Sequence, residues 1–178
     1  IEAVFTSDEE TGMFGADALD GTKLSGRKLI NIDSEAEGIL TVSCAGGARC
    51  EIRIPTQKTD ILFPCYEIII EGLSGGHSGV EIDKGIHNSN ILMGKLLKEL
   101  PDDYNIISLN GGSKDNAIPA RTLCEISVKE DISAIITNFK EENTNKENPS
   151  LKISIKEIAP AKKGITKKKK KKIAEFLS

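Results

Sequence analysis

An α/β fold in two parts is what this sequence predicts, on three observations. Short apolar runs in the first third lead into acidic residues: Ala3-Val4-Phe5 precedes Asp8-Glu9-Glu10, and Leu29 to Ile32 runs into Asp33-Ser34-Glu35. From Tyr66 onward, apolar periods of two and about 3.6 residues succeed one another in the order β-α-β-β-α-β. Between these patterns, Pro55 and Pro64 bracket a polar stretch, so a domain boundary is expected near Phe63, dividing residues 1–63 from 64–178.

In the first part the pattern predicts a strand at Ala3 to Phe5 and a short helix around Phe14 to Leu19. Further strands follow at Leu29 to Ile32, Ile39 to Cys44 and Cys50 to Ile54. The second part opens with a strand at Tyr66 to Glu71 and a Gly-rich loop. A helix follows, on which Leu92, Leu96 and Leu100 recur every fourth residue until Pro101 stops it. Strands are predicted at Ile106 to Leu109 and Leu123 to Val128. Ile132, Ile135, Ile136 and Phe139 then mark an amphipathic helix that Asp131 or Glu130 can cap. Leu151, Ile153 and Ile155 alternate with Lys152, Ser154 and Lys156, the signature of a half-buried strand. The order is that of a ferredoxin-like split sandwich, in which one sheet face packs on two helices and the other meets water or a partner.

Composition narrows the function classes. A net charge of −3 gives no global pull toward nucleic acid. No apolar run approaches the roughly twenty residues that span a bilayer, and no signal peptide is visible, so a soluble, cytoplasmic protein is expected. Cys44, Cys50, Cys65 and Cys124 form no C-x-x-C pair, which fits reduced thiols in the cytosol better than a zinc knuckle. The chain has no initiator Met and opens inside a predicted strand, so it is expected to be an internal piece of a longer protein. Lys167 to Lys172 are expected to be a solvated helix start or frayed terminus, with contact to an acidic partner as the alternative.

Three places carry candidate chemistry. Adjacent carboxylates at Asp8-Glu9-Glu10, with Asp33 at the end of a second strand, repel unless a cation or proton lies between them, so they point to a metal site at a sheet edge. The competing reading is a helix N-terminus that favours negative charge. The loop Gly72-Leu73-Ser74-Gly75-Gly76-His77-Ser78-Gly79 presents His77 on a flexible glycine frame, to donate, ligate or transfer a proton; the alternative is a turn histidine bonded to its own loop. Asn110 to Pro119 is a second polar Gly-rich loop, in which Asn116 precedes Ala-Ile-Pro. His87 reads as surface or capping.

Taken in order and spacing, D-E-E-T-G, N-I-D-S-E, S-C-A-G-G, G-L-S-G-G-H-S-G and N-G-G-S-K-D-N-A-I-P resemble the bacterial aminoacyl-histidine dipeptidases, also called Xaa-His or cytosolic non-specific dipeptidases. These are co-catalytic dizinc peptidases. The resemblance implies that residues 1–63 are part of a zinc-peptidase α/β catalytic domain and that 64–178 are the first half of its lid and dimerisation domain. It implies that Glu9 is the general base and that Glu10 and Asp33 each ligate one of two Zn²⁺ ions, with Co²⁺ or Mn²⁺ as alternatives. By the same resemblance His77 reaches into a partner subunit's active site to bind substrate or oxyanion, and Asn116 contacts the dipeptide substrate. The family's H-x-D segment, bridging aspartate and last histidine ligand have no counterpart here, so the isolated chain is expected to be inactive.

Two other function classes compete. The β-α-β-β-α-β order is shared with RNA-recognition domains, but the strands at Ile106 to Leu109 and Leu123 to Val128 carry no stacking aromatics, so no nucleic-acid partner is expected. A non-catalytic dimerisation module is the other alternative. A homodimer through the lid is expected, and no membrane partner.

Overall fold

The computed structural model describes the chain apart from residues 31, 33–36, 44–47, 49 and 147 and the side chains of Glu10 and Thr11. It divides into two compact units, Ile1–Glu51 and Ile52–Ser178.

In the first unit, α1 (Glu9–Gly12) and α2 (Phe14–Asp17) are single turns joined through Met13, whose φ of 59° is left-handed. Gly15 N–H donates to Ser7 O at 3.1 Å, and a Cβ on Gly15 would fall 2.4 Å from Ser7 N, so only glycine permits this approach. A 3₁₀ turn at Gly21–Lys23 opens on Asp20, whose carboxylate accepts from the Thr22 N–H and hydroxyl at 3.1 and 2.6 Å. The Glu2 carboxylate accepts from Ser25 and Gly26 N–H at 3.0 and 2.8 Å. Of the strands expected here the described residues form none: no described residue of this unit lies in a strand, and none does between Ile52 and Ile54, while Asn31 and Cys44 of the expected strands lie outside the described residues. Apolar alternation supplies propensity, but a strand also needs a neighbour to take up its N–H and C=O groups. None is described here, and Phe5 and Val42 remain 93% and 94% exposed.

The second unit contains β1 (Lys58–Asp60), β2 (Cys65–Glu71), β3 (Gly76–His77), α3 (Ser89–Glu99), β4 (Tyr104–Gly111), β5 (Ala117–Ile118), β6 (Thr122–Val128), α4 (Ser133–Asn143), β7 (Lys152–Ile158), β8 (Lys163–Ile165) and α5 (Lys167–Leu177). The main sheet has the order β4-β6-β2-β7, antiparallel throughout, which is the expected split arrangement. Ile68 pairs with Cys124 and Ile155, and Ile70 with Thr122 and Ile153. This register lines one sheet face with apolar side chains. Against it pack Leu92, Met93, Leu96 and Leu97 of α3 and Ile136 and Phe139 of α4. Each such burial contributes about 2 kcal/mol. Asn88 caps α3 by accepting from Asn90 and Ile91 N–H, and Asp131 accepts from Ser133 N–H ahead of α4. Cys65 and Cys124 are buried free thiols, and burial pushes Cys124 up to about 12.

The lysine run opens a helix, as expected, with Lys167, Lys168, Lys171 and Lys172 exposed, but Lys170 turns inward. The run forms the first half of α5, which packs on α3 and β4 rather than extending into solvent. Lys170 is 1% exposed; its Nζ donates to the Asp102 and Tyr104 carbonyls at 2.5 and 2.7 Å and lies 3.5 Å from the centre of the Tyr104 ring. The Tyr104 hydroxyl in turn donates to Leu97 O at 2.9 Å. Lys167 pairs with Asp103, and Lys171 with Asp102 at 3.3 Å. The acidic partner is thus the chain's own Asp102-Asp103 corner. Four-residue spacing aligns Lys170 with buried Ala174, which selects one lysine of six for the inner face. At the far end of α5 the helices nearly touch: a Cβ on Gly94 would lie 2.6 Å from Leu177 Cβ.

The two ends of α5 can each be tested. Burial pulls the Lys170 pKa from 10.5 to about 8, with Lys167 adding to the effect and Asp102 opposing it. The folded value lies below the unfolded one, so the folded state sheds the proton first. Stability should be level below about pH 8 and rise from there toward pH 10.5. In urea unfolding, Lys170→Met should abolish that rise, staying within about 1.5 kcal/mol of wild type at pH 7, whereas Lys170→Ala should lose about 2 kcal/mol. Gly94→Leu should cost about 2–3 kcal/mol by forcing α5 away from α3.

Candidate functional site

His77 and Asn116 come from separate loops and are brought together by a small ladder. β3 pairs with β5, setting Gly76 opposite Ile118 and His77 opposite Ala117, and Ser78 N–H donates to Asn116 O at 2.9 Å. The histidine loop is tied internally as well. The His77 N–H donates to the Glu81 carboxylate at 2.8 Å, which also accepts from Lys84 at 2.9 Å; Lys84 first and the His77 N–H second hold the Glu81 carboxyl below its usual range.

The imidazole answers both readings of this histidine. Nδ1 accepts from Gly79 and Val80 N–H at 3.0 and 3.3 Å, as a turn histidine does. Because Nδ1 is an acceptor, the neutral ring carries its proton on Nε2. Among the described residues no hydrogen bond engages Nε2, and the side chain is exposed. A Cβ on Gly79 would sit 3.1 Å from His77 Cε1, so glycine there lets the ring lie close over its own loop. The result is an N–H donor held in one orientation.

Adjoining the ladder is an open groove of about 600 Å³ with Ile82, Ile86 and Ile91 on its apolar walls and Ser78, Asn88 and Lys114 among its polar groups. Its floor demands glycine at 111, where a Cβ would fall 2.0 Å from Asn90 Oδ1. Sequence reasoning missed Asn88 and Lys114. The position of Asn88 before a helical period signals an N-cap, but nothing local reports that it shares a groove with Lys114.

The carboxylates are positioned differently. Glu9 opens α1 and is exposed; it follows Asp8, whose φ of 59° is left-handed and whose carboxylate accepts from Ser7 Oγ at 2.9 Å. Asp33 and the side chain of Glu10 lie outside the described residues. Among the described residues, no group of three His, Cys, Asp or Glu side chains is placed to hold a metal ion. No helix among them is long and apolar enough to cross a membrane.

Comparison with known proteins places this geometry in context. The chain is 35% identical to the cytosol non-specific dipeptidase of Escherichia coli strain K12, over 79% of its own length and 31% of that protein's. It also resembles the crystal structure of aminoacylhistidine dipeptidase from Vibrio alginolyticus, with a TM-score of 0.72 at 24% identity, covering 97% of this chain and 37% of that one. The chain therefore spans about a third of the length of each. The solved structure supports the mixed helix and sheet fold, and the dipeptidase resemblance drawn from the motifs holds. Residues 67–159, just over half of the chain, match the M20 peptidase dimerisation domain, and the chain belongs to that family.

Proposed function

We propose that this chain supplies a metal-binding segment and a substrate-binding lid to a cytoplasmic, metal-dependent dipeptidase acting on Xaa-His dipeptides. The observation that carries this reading is the β3-β5 ladder, which brings the loop of His77, with its oriented Nε2–H, against the loop of Asn116 next to an open groove. In it, residues 1–63 belong to the catalytic domain and 64–178 to the lid, through which two copies form a homodimer. The exposed apolar runs of Ile1–Glu51 support the catalytic-domain assignment of that unit, because they have the pattern of α/β strands that other catalytic-domain strands would cover, whereas Lys58–Asp60, ahead of the proposed boundary, pairs with β8.

By the family resemblance Glu10 and Asp33 are assigned as metal ligands, one to each of two ions, and mixed carboxylate and imidazole ligation would suit zinc, cobalt or manganese. Bound ions would supply Lewis-acid polarisation of the scissile carbonyl. The protein's own groups do the rest. The Glu9 carboxylate takes a proton from the attacking water and returns it to the leaving amine. His77 donates through Nε2 to the oxyanion that develops on substrate held by the partner subunit, and Asn116 hydrogen-bonds the same substrate. A nucleic-acid role is disfavoured: β6 carries no aromatic, and Lys167, Lys170 and Lys171 are engaged by the Asp102-Asp103 corner.

In the full-length enzyme, Glu9→Gln should lower kcat by about 10²–10⁴-fold at unchanged metal content, whereas Glu10→Gln should lower the metal content itself. Near-normal turnover by Glu9→Gln would remove Glu9 from the mechanism. His77→Ala should reduce kcat by about 10²-fold. In the isolated chain, ¹⁵N chemical shifts of the neutral imidazole should report protonated Nε2 and bare Nδ1; the opposite tautomer would contradict the donor role.

A further inference from the structure

His77 gives both of its backbone groups to one residue, Glu81. Its N–H donates to the Glu81 carboxylate at 2.8 Å, and its carbonyl accepts from the Glu81 N–H at 3.0 Å. The neighbouring Ser78 N–H, by contrast, reaches across to Asn116 O at 2.9 Å. The β3-β5 ladder therefore fixes where the loop lies, while Glu81 holds the peptide groups on either side of the His77 Cα. Those two planes set φ and ψ, and with them the direction in which the imidazole leaves the backbone.

The turn that Glu81 closes also aims the ring. Gly79 and Val80 lie inside it, and their N–H groups are the donors that Nδ1 accepts from at 3.0 and 3.3 Å. Opening the turn at Glu81 would carry both donors away from the ring, and the imidazole proton would then be free to exchange between Nδ1 and Nε2.

Glu81 is itself held in place. Its carboxylate accepts from Lys84 Nζ at 2.9 Å and its carbonyl from Lys84 N–H at 3.1 Å, as the chain passes through the 3₁₀ turn Ile82–Lys84. Lys84 first and the His77 N–H second lower the Glu81 pKa, so the group near neutral pH is an ionised acceptor, which makes a stronger hydrogen bond than a neutral one. Glycine at 76 leaves room for it. A Cβ there would fall 2.9 Å from Glu81 Oε2 and 2.7 Å from Ile86 Cδ1.

We infer that Glu81 is the positioning residue of the histidine loop, holding the His77 backbone and the two N–H donors so that Nε2–H is presented to substrate held by the partner subunit. Glu81 touches no substrate and acts only through His77. This rests on the donor role given to His77 in the proposed function and says what keeps that donor in place.

Kinetics of the full-length enzyme test this as a cycle with His77. Glu81→Ala should lower kcat by about tenfold with KM little changed. Glu81→Gln, which keeps an acceptor oxygen, should recover most of that loss. Because the effect passes through His77, Glu81→Ala added to His77→Ala should reduce kcat no further. In the isolated chain, Glu81→Ala should move the ¹⁵N shifts of the imidazole from the Nε2-protonated tautomer toward a mixture of the two, with a thermal melt matching wild type. A Glu81→Ala enzyme at wild-type kcat, or one whose loss persists in full when His77 is absent, would overturn the inference. So would imidazole shifts that Glu81→Ala leaves unchanged. A His77→Ala enzyme at wild-type kcat would instead sink the donor role, and the nitrogen shifts would still decide whether Glu81 orients the ring.

Discussion

The register of β2 between β6 and β7 is the constraint on which the second unit depends. With Ile68 opposite both Cys124 and Ile155, and Ile70 opposite both Thr122 and Ile153, three strands present their apolar side chains to the same two helices. A slip of one residue would turn Glu67, Ile69 and Glu71 into the core and Ile68 and Ile70 out of it. The same register also positions the functional loops. β2 and β6 run antiparallel, so the end of β2 and the start of β6 lie at one edge of the sheet. The Gly72–Gly79 loop leaves there and the Gly111–Pro119 loop arrives there. The short β3-β5 ladder then completes a meeting that the main sheet has already arranged.

At the opposite end of the sheet, a buried cation does similar positioning work. Lys170 would be costly inside an apolar core, but its ammonium meets two carbonyls and an aromatic face, with two carboxylates close behind. These contacts fasten α5 across the start of β4. Together with the glycine contact at Gly94 and Leu177, they seat α5 on α3 and β4.

The division of chemistry between the units follows from what each can position. The second unit has a core, so its loops hold a histidine ring in one tautomer through backbone N–H donors. In the first unit, local turns such as the Asp20 and Glu2 anchors define the backbone while its large apolar side chains stay exposed. Glu9 accordingly has its place in a turn, and the base role proposed for it calls on groups beyond the described residues of that unit.

The sequence alone was sufficient for the β-α-β-β-α-β order, the two helix faces and a cap at Glu130 or Asp131, which the structure assigns to Asp131, because each is written in local periodicity or in turn chemistry within a few residues. The same local signals misplaced the first-unit strands, since alternation measures a residue's fitness for a sheet and not the presence of the neighbour that completes its hydrogen bonds. Six consecutive lysines looked like solvent-facing charge until packing on Tyr104 and Asp102 singled out Lys170. The meeting of the His77 and Asn116 loops and the groove beside their ladder were decided by tertiary structure. Each depends on residues distant in the chain whose meeting is set by strand pairing, and no window of sequence contains both partners.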